Sequence, residues 1–455
     1  MKTKKALLLL LISISSISVA QCWQSTANGA NYTLAIKTDG TLWGWGWNGF
    51  GQIGDGTTID APTPIQIGTD TDWAHISANG NHNSAIKTNG TLWSWGENNY
   101  GQLGDNTNFD KHSPTQIGTD TNWTTVECGT YHTLALKTGG SLWGWGRNYD
   151  WQLGNNTFVD SAIPINISPS NSWLKITAGV NFSIAIHNDG SLWSWGDGYR
   201  GEMGQGDDQP KKIPTQIGTS KAWTSISATG YHILATKNDN TLWGWGGNEL
   251  NQIGNGTTAD VRIPQQIGAD TDWLQVSAGY RHSFAMKQNH TLWAWGWNNS
   301  GQLGIGNNTT ATVPTQVGTD TNWQTIDGGG NHSVALKQDN SVWAWGQNGQ
   351  YQLGNGDNNF NFNYPIEVNC SSLGIASFDQ HSFFIYPNPS TEVLNIQTPN
   401  NLQIDSRIFF DIYGKKVLQD QQNSNSINIQ NLSSGLYILQ ITADGKTFQS
   451  KFIKP

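Results

Sequence analysis

From Trp23 to about Leu373 the chain alternates apolar and polar residues in short runs, each closed by glycine, asparagine or aspartate. A period of two puts successive side chains on opposite faces, so these runs predict strands. The stretch opened by Trp73 shows the scheme. Trp73 to Ala78 reads as a first strand, Asn83 to Lys87 as a second, Thr91 to Gly96 as a third and Pro114 to Ile117 as a fourth. Thr88-Asn89-Gly90 reads as the hairpin turn between the second and third, with glycine free to take positive φ. A proline at the head of the fourth strand loses no ladder hydrogen bond.

The scheme returns every fifty residues. Leu42-Trp43-Gly44-Trp45-Gly46 recurs in close variants at Leu92, Leu142, Leu192, Leu242, Leu292 and Val342. Gly51-Gln52-Ile53-Gly54 recurs in variants at 101, 151, 201, 251, 301 and 351, and Trp23 at 73, 123, 173, 223, 273 and 323. These series hold 21 of the 24 tryptophans, so the indoles belong to the repeat and must be buried between neighbouring units. The first and last units look like the rest, which favours a closed ring over a capped solenoid. The expected fold is all-β: a seven-bladed β-propeller of fifty-residue repeats with a C-terminal β-sandwich.

Gly80-Asn81-His82-Asn83-Ser84-Ala85, Gly279-Tyr280-Arg281-His282-Ser283-Phe284-Ala285, Gly101-Gln102-Leu103-Gly104 and Gly301-Gln302-Leu303-Gly304 resemble the regulator-of-chromosome-condensation repeat. The resemblance spans Trp23 to about Leu373 and implies a seven-bladed propeller. Founding members of that family are nuclear exchange factors for a small GTPase, and secreted bacterial members include an inhibitor that binds β-lactamase. Partner binding is therefore what the resemblance implies; fold alone fixes no function.

The two ends address the chain. Lysines at 2, 4 and 5, an apolar stretch from Ala6 to Ile17 and Ser18-Val19-Ala20 read as a signal peptide at 1–20, too short to span a bilayer. The propeller is expected at 21–373, a linker at 374–384 and a second domain at 385–455. In that domain Tyr386-Pro387-Asn388-Pro389, Asp411-Ile412-Tyr413-Gly414-Lys415, Leu432-Ser433-Ser434-Gly435-Leu436-Tyr437 and Lys451-Phe452-Ile453-Lys454-Pro455 resemble the type A C-terminal sorting domain of the type IX secretion system. The resemblance implies secretion machinery as a partner and a secreted or outer cell-surface location, with no transmembrane segment in the mature chain.

Charge narrows the partners. Loss of Lys2, Lys4 and Lys5 takes the net charge from −9 to −12, which gives no basic stripe for nucleic acid. The sequence contains no P-loop, no Gly-x-Ser-x-Gly and no His-Glu-x-x-His, so no catalytic residue, cofactor or metal site is expected. His82, His132, His232, His282 and His332 share one repeat position with Tyr32 and Phe182. Phenylalanine cannot ligate a metal, so that position reads as scaffold. Asp70, Asp72, Asp120, Asp270, Asp272 and Asp320 fall in Gly-Thr-Asp-Thr turns or close variants and read as caps of their own backbone.

Where the repeats differ, one side of the disc stands out. The first-to-second and third-to-fourth connections share that side and carry Trp47, Phe50, Tyr100, Tyr131, Arg147, Trp151, Arg200, Tyr231, Tyr280, Arg281, Trp297 and Tyr351. These residue types dominate binding hot spots. The expectation is a non-enzymatic propeller for a protein ligand, with a glycan-binding or glycan-processing propeller as the alternative. Cys22 and Cys370 flank the repeat array, and ring closure brings them together as a disulfide, while Cys128 sits at a small core position.

Overall fold

The computed structural model describes residues 22–168, 172–358, 361–370, 384–386, 388–397, 404–411, 415–420, 426–443 and 446–455. The signal peptide expected at 1–20 and all of the expected linker except Phe384 lie outside the described residues. The chain separates into two compact units, one ending at Cys370 and the other starting at Ser371.

In the first unit, seven four-stranded antiparallel sheets follow one another, each built from consecutive strands. The second blade comprises Trp73–Asn79, His82–Lys87, Leu92–Gly96 and Lys111–Gln116, paired in that order. Its second strand is buried along its whole length and its fourth is half-buried or exposed, so the fourth is the outer edge. The fourth strand begins at Lys111, earlier than the sequence pattern suggests, and Pro114 lies inside it. Ser94 pairs with Thr115 and Gly96 with Lys111, so the proline occupies a bulge. An outer edge tolerates this because the missing N–H would have faced solvent.

The blades are locked by one repeated contact. At the seam of blades three and four, the Trp195 indole N–H and the Ser183 hydroxyl both donate to the Gln152 carbonyl, at 2.9 and 2.8 Å. His132 Nε2 lies 2.9 Å from the same hydroxyl. The serine proton is committed to Gln152, so Nε2 must carry the ring proton and Nδ1 is bare. Burial pushes His132 down to about 3, which keeps it neutral. A Cβ on Gly129 would fall 2.6 Å from Nδ1, so the glycine of the Gly-x-x-His motif makes room for the ring. The partners match around the disc at an offset of 51 residues: His with Ser or Thr, Tyr32 with Asn83 at 2.7 Å, and Phe182 with Ile233.

Ring closure uses the same contact. Trp45 N–H and the Thr33 hydroxyl both donate to the Gln352 carbonyl at 3.1 Å, and His332 Nε2 lies 3.2 Å from Thr33. Among the described residues no strand is exchanged between the last blade and the first. Instead a disulfide joins Cys22, just before the first strand, to Cys370, two residues after the last, with Cα atoms 6.2 Å apart. Cys128 is a buried free thiol that burial pushes up to about 12.

On the other side of the disc, the second strand of six blades ends in a lysine sandwiched by two indoles, and that of the fourth ends in His187, packed on Trp173. Lys87 Nζ sits 4.7 Å from the Trp73 ring and 4.6 Å from Trp93. The turn aspartates complete this cage rather than capping their own backbone. Asp70 reaches Lys87 at 2.5 Å, Asp120 reaches Lys137 at 2.5 Å and Asp320 reaches Lys337 at 2.7 Å. A half-desolvated ammonium attracts a carboxylate more strongly than a solvated amide does.

The second unit is a two-sheet sandwich. Phe384–Tyr386, Val393–Gln397 and Ser426–Asn428 form one sheet; Lys416–Asp420, Ile404–Asp411, Gly435–Ala443 and Lys446–Lys454 form the other. Leu394, Ile396, Phe409, Ile427, Leu439 and Phe452 fill its core.

Non-reducing peptide mapping is expected to recover Cys22 and Cys370 on one linked fragment. Replacing both with serine should lower stability, by up to roughly 5–6 kcal/mol in the chain-entropy model for a loop of this length. An unchanged melting temperature would show that the seam holds without the bridge.

Candidate binding face

The variable loops stand on a rigid frame. In the first blade's third-to-fourth connection, the buried Asn48 amide donates to Asp55 at 3.1 Å and to the Thr57 and Ile59 carbonyls at 3.1 and 3.0 Å. Its carbonyl accepts the Ile53 N–H at 2.9 Å. Asn98, Asn148 and Asn248 repeat this bracket. The first-to-second connections are tied blade to blade by backbone hydrogen bonds, among them Ala30 N–H to Gly80 (2.9 Å), Thr130 to Gly179 (3.2 Å), Val180 to Gly230 (3.2 Å) and Tyr280 to Gly329 (3.1 Å). Side chains on these loops are therefore held in place before any partner arrives.

All twelve expected site residues are half-buried, and ten of them gather in separate groups. Trp47 meets Phe50 edge to face at 5.5 Å. Tyr100 and Tyr131 pack at 5.5 Å, and the Arg147 guanidinium lies 5.6 Å from each ring. Arg147 also pairs with Asp150 at 3.3 Å and donates to Asn181 at 3.1 Å. In blades four to six, Arg200 lies over Tyr231 (5.2 Å), Tyr231 packs on Tyr280 (5.6 Å), and Arg281 lies 5.5 Å from Tyr280 and 6.0 Å from Trp297. The Tyr131 hydroxyl is raised mainly by burial, with Glu97, Tyr100 and Tyr280, all from other blades, adding to the shift and Arg147 opposing it.

Trp151 and Tyr351 stand apart from these groups. They take φ of 59° and 60° at the position where Gly51, Gly101, Gly201 and Gly301 also have positive φ. A bulky residue there costs on the order of 1–3 kcal/mol. Lys212 covers the Trp151 ring at 5.2 Å.

The structure adds residues that the pattern did not single out. Tyr149 and Tyr199, in the same connections, are 69% and 76% exposed. Ile59 and Phe109 are 73% and 74% exposed beside the outer strands, joined by Phe158 and Val159 on the third blade. Alternation alone would have buried them, and only their place in the Asn-bracketed loop turns them outward. Glu249 bridges two of the arginines and was legible only as a departure from Gly, Asn and Tyr at its repeat position.

The axis of the ring is lined by first strands, whose side chains cap the next blade. Ser77 accepts the Cys128 N–H at 2.9 Å, Ser227 that of Ala278 at 2.9 Å, and Asp327 that of Asn28 at 2.6 Å. Glu127 interrupts this hoop and accepts the Ser77 hydroxyl at 3.3 Å. Burial pushes Glu127 and Asp327 up to about 7.

Seven blades of consecutive strands, closed by a disulfide and followed by a separate two-sheet unit, define a tandem-repeat β-propeller protein. The chain carries RCC1-like repeats: it matches the RCC1-like domain at 11–230 and the regulator of chromosome condensation (RCC1) repeat at 239–286, 289–336 and 339–385. It ends in a secretion system C-terminal sorting domain at 384–455. Human WBSCR16 superposes with a TM-score of 0.66 at 21% identity, covering 72% of this chain and 94% of that one. Prp20p from Saccharomyces cerevisiae gives 0.66 at 19% identity, covering 80% and 90%. Among curated relatives, the ultraviolet-B receptor UVR8 of Arabidopsis thaliana is 46% identical over 41 residues, 9% of either protein. Ulvan lyase NLR42 of Nonlabens ulvanivorans is 31% identical over 90 residues, 19% of this chain and 17% of that enzyme. No helix among the described residues is long and apolar enough to cross a membrane.

Blade four departs most from the repeat. It has Phe182 at the histidine position, Gly198 in place of the bracketing asparagine, and Glu202 where the six other blades have glutamine with its Oε1 accepting a loop N–H. Glu202 accepts the Arg200 N–H at 2.8 Å, and burial pushes it up to about 8. Between its ordinary value of 4.5 and about 8, the folded state keeps a proton that the unfolded chain has lost. Its contribution to stability is therefore complete below 4.5 and drains away as pH rises to 8. Glu202→Gln is expected to raise the melting temperature by a few degrees at pH 8.5 and to leave it nearly unchanged at pH 4.5. Equal effects at both pH values would show that Glu202 is ionised in the fold.

Proposed function

We propose that this chain is a secreted or outer cell-surface propeller that binds a protein partner without catalysis, through the face formed by the first-to-second and third-to-fourth connections. The observation that carries this reading is the rigid array of half-exposed rings and guanidiniums, including Trp151 and Tyr351 held in a costly backbone conformation. Strain of that kind persists where function needs the side chain. Prp20p, which shares the fold, has described binding properties toward Gsp1p and histones. The sorting domain supports export and an interaction with secretion machinery.

A glycan-binding or glycan-processing propeller is the second reading. It is favoured by the exposed Tyr149 and Tyr199 rings and by Glu127 and Asp327, two carboxyls poised to hold a proton near neutral pH. The similarity to ulvan lyase NLR42 covers too little of either chain to choose between the readings.

Capture of a partner from native surroundings, followed by Ala replacement of Trp47, Trp151, Tyr231 and Arg281, tests the face. Affinity should fall by at least tenfold, since hot-spot residues each contribute about 2 kcal/mol or more. Full affinity in all four folded variants rejects the face. Release of reducing ends from a polysaccharide, abolished by Glu127→Gln, would overturn the non-enzymatic part. Deletion of 385–455 should leave a folded propeller trapped in the cell envelope of the producing bacterium, as read by fractionation. A truncated protein that still reaches the surface or medium rejects the sorting role.

A further inference from the structure

Arg200, Tyr231, Tyr280, Arg281 and Trp297 form one continuous stack drawn from blades four, five and six. Both arginines are unique in their repeat positions. The other blades have Phe50, Tyr100, Asp150, Leu250, Ser300 and Gln350 where Arg200 stands, and Asn or Tyr where Arg281 stands. Among the described residues the only carboxylate paired with both is Glu249, 2.9 Å from Arg200 and 3.8 Å from Arg281. At 3.8 Å it does not hydrogen-bond to Arg281. Arg281 Nε is buried and has no hydrogen-bond partner among the described residues.

A second observation shows that the chain makes room for this stack. Position 47 of the repeat carries Trp47, Glu97, Arg147, Asp197, Trp297 and Gln347 in the other blades, but Gly247 in blade five. Gly247 does not have positive φ, so its backbone does not require glycine. A Cβ there would stand 3.0 Å from Arg200 Cδ and 3.4 Å from Tyr231 Cβ. The missing side chain is the space through which Arg200 reaches Tyr231. Arg147, by contrast, is satisfied by Asp150 and Asn181. Near the stack, Asp260 accepts the Asn248 N–H at 2.9 Å, and Glu202 is a buried acid beneath Arg200.

We propose that the Arg200–Arg281 pair is a carboxylate-binding site for an acidic segment of a protein partner, with Glu249 holding the place of the incoming carboxylate. The proposal rests on the protein-binding reading of this face and gives its ligand a chemistry. The tyrosines and Trp297 pack against both guanidiniums and leave them half-buried, which strengthens charge-assisted hydrogen bonds and lowers the ordering cost of binding. In a chain of net charge −9 this site is a local exception, so an acidic segment is drawn to it while repelled elsewhere.

The test is fluorescence anisotropy of a labelled poly-glutamate peptide at low salt, with the full secreted chain. Glu249→Gln removes the internal competitor and should tighten binding about two- to fivefold, the scale of an exposed ion pair. Arg200→Ala and Arg281→Ala should each weaken it about tenfold or more, as loss of charged hydrogen bonds does. Gly247→Ser should weaken it by displacing Arg200, without changing net charge. Thermal melts identify any variant that is misfolded, and Arg281→Lys then reports the lost planar geometry in a folded chain. No gain from Glu249→Gln, or equal binding by the arginine variants, overturns the proposal. Binding of polygalacturonate without binding of poly-glutamate overturns the protein source of the carboxylate. If these variants are silent while the Trp47 and Trp151 variants lose the native partner, the face reading stands and this inference falls.

Discussion

Each blade of this propeller hangs from a single carbonyl. The backbone oxygen of Gln152 receives an indole N–H and a hydroxyl from the next blade, and the hydroxyl in turn meets a buried neutral histidine from the same blade as the carbonyl. A buried carbonyl has two lone pairs and a strong need for partners, and here both are filled across a seam. Five seams use a histidine with a hydroxyl. The other two substitute matched pairs, Tyr32 with Asn83 and Phe182 with Ile233. An unmatched pair would leave a polar group buried alone, which costs more than the bond itself is worth. That asymmetry keeps a matched pair at every seam.

The consequence for function is a division of labour. Strand positions are spent on seams: tryptophans and small residues fill them, and lysines are caged between indoles on one side of the disc. The opposite connections are bracketed by a buried asparagine, which fixes the loop backbone and leaves its outward positions free to vary. Variation is concentrated there, and rings and guanidiniums meet between blades that are neighbours in space but thirty or more residues apart in sequence. Blade four carries the largest departures, including an acid at the repeat's glutamine position, next to the arginine that enters the stack.

Much of this was legible in the amino-acid sequence. The fifty-residue period and two-residue alternation are local properties of the chain, and together they specify strands, blades and a ring. The histidines were readable as scaffold because phenylalanine occurs at their position, and the pairing of Cys22 with Cys370 followed from closure. Other features were decided only by the tertiary structure. Asp70 reaches Lys87 because the turn between blades falls beside the next lysine cage, and Pro114 sits in a bulge because the fourth strand is an outer edge. Arg200, Tyr231 and Glu249 meet because Gly247 leaves a gap between adjacent blades. Glu127 and Asp327, from the third and last blades, act on each other only because the ring turns both toward one axis. Alternation encodes which way a side chain points from its own strand; which distant side chain it meets depends on the curvature and closure of the whole disc.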